Sequence, residues 1–88
     1  MNANRRKQIA EVIESIKALD DRIDEIMCFI EEIKDDEEEC FDNLPDSLQE
    51  SERGEAMQEA IDNLDSAYSE LESIDTGDLV DYLECAMA

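Results

Sequence analysis

The sequence contains no histidine and no tryptophan, and only two glycines, one proline and four aromatic residues: Phe29, Phe41, Tyr68 and Tyr82. So few turn-formers leave a many-stranded β fold without its corners and favour long, weakly interrupted helices. The three cysteines, Cys28, Cys40 and Cys85, are odd in number and widely spaced, so neither a disulfide framework nor a zinc site is expected. No apolar run approaches the roughly 20 residues of a membrane span. The basic start, Met1 to Lys7, leads into alternating polar and apolar residues and not into a secretory core, which predicts a cytosolic chain. No glycine-rich phosphate loop, nucleophile elbow or calcium-loop spacing occurs. General acid–base work also needs a desolvated carboxyl in a pocket, which two helices poor in aromatics offer little room to build. No enzyme activity, cofactor or metal is expected.

Acid is what the chain has in excess. Seven bases stand against 27 acids, a net charge of −20. Charge of that sign repels nucleic acid and anionic lipid, so neither is an expected direct partner. It also holds many chains unfolded. Periodicity argues for order: Ile9, Val12, Ile16, Leu19, Ile23, Ile26, Ile30 and Ile33 step by 3 and 4 through four heptads. With Ile9 at position a, these residues fill a and d, a seam that winds against a partner helix. Ile13, Met27 and Phe41 at e and Phe29 at g widen the stripe to the breadth of a bundle helix touching two neighbours.

In the second half Met57, Ile61, Leu64, Tyr68 and Leu71 repeat the spacing, flanked by Ala60, Ala67 and Ile74. Ser51 is the expected N-cap, with Glu52 and Glu55 favourable near the positive helix end. Between the halves, Asp42-Asn43 and Pro45 mark a turn, and Ser47 with Glu50 has the spacing of a capping box. Near Asp75-Thr76-Gly77 the pattern falters. Either one helix kinks there, or it ends and a short third helix follows.

The predicted fold is therefore all-α: one domain over residues 1–88, an antiparallel, coiled-coil-like helical hairpin. Its helices cover about 5–40 and 51–75, with an ordered turn at 41–50 and a C-terminal helical piece at 78–87. A lone hairpin leaves its flank wet, so a homodimer forming a four-helix bundle is expected. The alternative is a monomer with residues 78–88 folded back over the stripe.

The charge is uneven. Residues 1–34 hold six bases and eight acids, whereas residues 35–52 hold nine acids and no base. Five neighbouring carboxylates, Asp35, Asp36, Glu37, Glu38 and Glu39, crowd the end of the first helix, where the dipole prefers cations. Spread along a rod of about 54 Å, the acids give one carboxylate per about 2 Å, near the one charge per about 1.7 Å of duplex DNA. Such a rod fits a groove built for phosphates. The expected contacts are those five residues with Asp42, Asp46, Glu50 and Glu52, and Phe41 and Leu44 anchor the tip.

The stretch from Phe41 to Glu55, FDNLPDSLQESERGE, resembles a family of small acidic proteins encoded by bacteriophages and prophages of Gram-positive bacteria, with a D-N-[LM]-P-x-x-L-Q-x-S-E-R core. Cys40 stands where an aromatic residue is expected, and Asp75-Thr76-Gly77 interrupts the family's acidic C-terminal helix. The resemblance implies a viral origin and a place in the cytoplasm of a bacterial host. It also implies a shared structural core in which Ser51 caps, Glu52 meets the dipole and Arg53 clamps the loop. The expected function is an anti-CRISPR-like inhibitor of a host defence system, a DNA mimic whose partner is a defence protein with a basic nucleic-acid-binding groove. The alternatives are a coiled-coil scaffold or adaptor, and an oligomeric sponge for a signalling nucleotide held by Arg5, Arg6, Lys7 and Arg53.

Overall fold

A computed structural model describes residues 1–88. The chain is all-α, with helices α1 (Ala3–Asp42), α2 (Asp46–Gln49), α3 (Glu52–Glu72) and α4 (Gly77–Met87). It divides into two compact units that share α1: residues 1–25 with 74–88, and residues 26–73.

In the second unit α1 and α3 run antiparallel. Lys34 donates to Asp65 at 3.0 Å, and open grooves are lined jointly by Glu31, Lys34, Asp65 and Tyr68 and, nearer the corner, by Glu38, Phe41, Asp42, Gln58 and Ile61. As numbers rise on one helix they fall on the other. The α3 stripe is the one the spacing predicts: Ile61 is buried, and Met57, Leu64, Tyr68 and Leu71 are half-buried.

The first unit closes α4 onto the start of α1. Ile13 and Ile16 are its buried side chains, and α4 turns Val80, Leu83 and Met87 inward at 3,4 spacing. Thr76 donates its hydroxyl to Asp20 at 2.7 Å. Asp75 accepts from the Gly77 amide at 2.8 Å, an Asx turn that separates α3 from α4. The interruption is thus a full break. Gly77 opens the last helix instead of closing the one before it, and residues 77–87 form a helix of their own.

The face of α1 that turns inward differs from the predicted a/d seam. Its covered residues fall mainly at positions a and e, namely Ile9, Ile13, Ile16, Asp20, Ile23, Met27, Ile30, Lys34, Glu37 and Phe41, with Ala10 and Glu38 at b and Ile26 at d half-buried beside them. Three of the four predicted d residues are left outside, with Val12 48%, Leu19 52% and Ile33 56% exposed. Two polar pairs at e, Asp20 with Thr76 and Lys34 with Asp65, fix this rotation. Turning d inward would move both pairs out of reach.

Candidate functional site

The acidic corner belongs to the second unit. α1 ends at Asp42, and Asn43 closes its last turn by donating to the Glu39 carbonyl at 3.1 Å. Pro45 sets the next step. Its fixed φ of −57° with ψ of 149° makes it the N-cap of α2, and its carbonyl accepts from the amides of Leu48 and Gln49. Ser47 and Glu50 do not form the predicted capping box, because proline starts the turn earlier and leaves Ser47 inside it.

Gln49 ties the corner together. Its side-chain amide donates to the carbonyls of both Phe41 and Leu44, each at 3.1 Å. Free carbonyls at a helix C-terminus need such partners. This is the clamp that the sequence analysis gave to Arg53, which is exposed and forms no ion pair. The signal was present as the leucine–glutamine pair of the core motif.

Ser51 caps α3 as predicted: its hydroxyl oxygen accepts from the Gly54 amide and donates to the Leu48 carbonyl. Glu52 and Glu55 sit in the first turn, where the dipole favours them. Gly54 is buried, and a Cβ there would stand 2.0 Å from the Gln49 carbonyl oxygen. The close approach of α2 and α3 therefore requires glycine at this position, a role the sequence reading missed.

These contacts bring the predicted acids to one end of the unit from three helices. Asp35, Asp36, Glu39, Asp42, Asp46, Glu50 and Glu52 are exposed. Glu37 and Glu38 are half-buried, with Glu38 3.8 Å from the Lys34 ammonium. Phe41 and Leu44 are half-buried, so part of each is already used in packing. The groove beside Phe41 has a volume of about 210 Å³ and carries the carboxylates of Glu38 and Asp42 on its wall.

Lys34 is the cation inside this acidic field. The hydrogen bond to Asp65 is the largest cause that holds its ammonium above the ordinary lysine range; desolvation opposes it, and the charges of Asp65, Glu38 and Asp35 add attraction. No three of the unit's carboxylates and thiols stand close enough together to hold a metal ion. Cys28, Cys40 and Cys85 are free and exposed. No helix is long and apolar enough to cross a membrane. No protein-family model, curated protein or solved structure matches this chain.

Proposed function

We propose that the second unit is a phosphate-like surface: an acidic helical inhibitor, of phage origin, that occupies the basic nucleic-acid-binding groove of a host defence protein in the bacterial cytoplasm. One observation carries this reading. Residues 26–73 hold 17 acids against two bases, Lys34 and Arg53, and Lys34 is already engaged by Asp65. Seven of the nine predicted contact acids are exposed on helices joined by a braced corner. Carboxylates held in place meet a row of lysines and arginines without the ordering cost of a flexible tail.

The test captures host proteins from infected cells on immobilised chain and then elutes with duplex DNA. The expected eluate is a nucleic-acid-binding defence protein whose affinity falls steeply with salt. Amide replacement of Asp35 to Glu39, and separately of Asp46, Glu50 and Glu52, should each weaken capture. Retention by both variants, or a bound protein that DNA does not displace, overturns the reading. A scaffold or adaptor role is the second reading, and the apolar side chains left outside α1 favour it: Val12, Leu19, Phe29 and Ile33. Its mark is an assembly larger than a dimer that ignores neutralisation of the acids.

A further inference from the structure

One side of the first unit carries no acid. In that unit α4 runs back along α1, because Thr76 is bonded to Asp20 and only α4 is there to cover the buried Ile13 and Ile16. Inward residues are preceded by Val12, Ser15 and Leu19 on α1 and by Leu79, Tyr82 and Ala86 on α4. One step along a helix turns the side chain by about 100°. On two antiparallel helices a step back from the contact turns both side chains to the same side of the pair, so these six residues share a face. All six are exposed, with Val12 48%, Leu19 52%, Leu79 50% and Tyr82 77% open to solvent. This stretch of α1 and α4 together hold nine acids. Asp20 turns inward to Thr76, and the other eight lie on the opposite side or on the backs of the helices.

We propose that this face seats a second copy of the chain, first unit against first unit. The lack of acid selects the occupant. A cationic partner finds its carboxylates elsewhere on the chain and gains nothing from a face without them. A copy that itself carries −20 can approach closely only where no carboxylate stands in the way. Such a face is its own complement under a two-fold axis: Val12, Leu19, Leu79 and Tyr82 of the two copies close over one another, and Ser15 and Ala86 are small enough to let the helices approach. The contact also supplies an interior that the unit lacks. Ile13 and Ile16 are its only buried side chains, and neither is sealed completely from solvent. Two stacked helix pairs put them inside a four-helix core, as small chains with a thin interior are completed by association. The acids at 35–52 take no part and no host target is needed, so this contact stands or falls apart from the inhibitory role.

Sedimentation of the full chain at rising micromolar concentration should show a species of twice 10.1 kDa. Val12→Gln with Leu19→Gln, and separately Leu79→Gln with Tyr82→Gln, should each return it to monomer. Circular dichroism should keep its helical signal in both, since these side chains are already half exposed or more. Phe29→Gln with Ile33→Gln, equally exposed but in the second unit, should leave the dimer intact. Ser15→Glu removes no apolar side chain and sets an acid on the face; it should weaken the dimer about tenfold or more, whereas Ser66→Glu on the exposed side of α3 should not. If a double Gln variant loses helix, the two serine variants decide the matter. Amide replacement of Asp35 to Glu39 should not weaken the dimer, which separates this contact from capture of a host protein. A chain that stays monomeric, a dimer indifferent to Ser15→Glu, a dimer lost with Phe29 and Ile33 or with the acids at 35–39, or a monomer whose face binds phosphatidylcholine vesicles overturns the proposal.

Discussion

The two units use one helix in opposite ways. Residues 1–25 with 74–88 carry 10 acids and five bases, and their polar links are few and specific, such as Thr76 to Asp20 and Arg22 to Glu25. Residues 26–73 carry 17 acids and two bases. They hold together through Ile61, a glycine corner and a glutamine that satisfies two carbonyls. The contrast shows how a strongly charged unit stays folded. Neutral contacts of backbone and apolar side chains brace it, and the charge is left to the surface, where its self-repulsion is cheapest.

The largest effect should come from attacking that brace. Ile61→Ala is expected to cost about 3 kcal/mol, read as a lower urea midpoint, with amide-exchange protection lost over residues 26–73. Leu19→Ala, on the outer row of the other unit, should change monomer stability by under about 0.5 kcal/mol. Equal losses would break the comparison. Gly54→Ala follows at about 2 kcal/mol, because a methyl group there forces α2 and α3 apart. Ser51→Ala should cost about 1 kcal/mol through the lost cap, again with faster exchange in the second unit.

Salt sharpens the comparison more gently. Raising NaCl from about 20 mM to about 0.5 M should slow exchange in residues 26–73 more than in the first unit, since screening relieves like charges such as Asp35 with Glu39. The smallest effect concerns Lys34. Its folded pKa lies above the ordinary value, so its stabilisation is complete below about 10.5 and fades only as pH rises through the folded pKa. Lys34→Met should therefore lower the urea midpoint slightly at pH 7, and the difference from the parent should vanish in strongly alkaline buffer. A difference that grows with pH would contradict the ion pair with Asp65.

Much of this architecture was legible in the sequence. The α3 stripe and the Ser51 cap follow from spacing and local hydrogen-bonding chemistry, which act within a few residues, whereas at Asp75 the spacing marked an interruption and left a kink and a full break as alternatives. The rotation of α1 was not legible. Periodicity marks which positions are apolar, yet α1 carries apolar residues at a, d and e, and any two of the three make a stripe. Asp20 and Lys34 chose between them through partners more than 30 residues away, and polar residues at e read as interruptions until those partners are known. The corner was half legible: proline and the Asp-Asn pair announced a turn, but Gln49 and Gly54 act through backbone groups that have no signature of their own.

Gln49 has a consequence for how the molecule ages. Hydrolysis of its amide would leave a carboxylate where two carbonyl oxygens already point, replacing a donor by a third acceptor. In a chain that wears glutamate almost everywhere else, this is the position where one more would act as a wedge, and old preparations should open first at the corner.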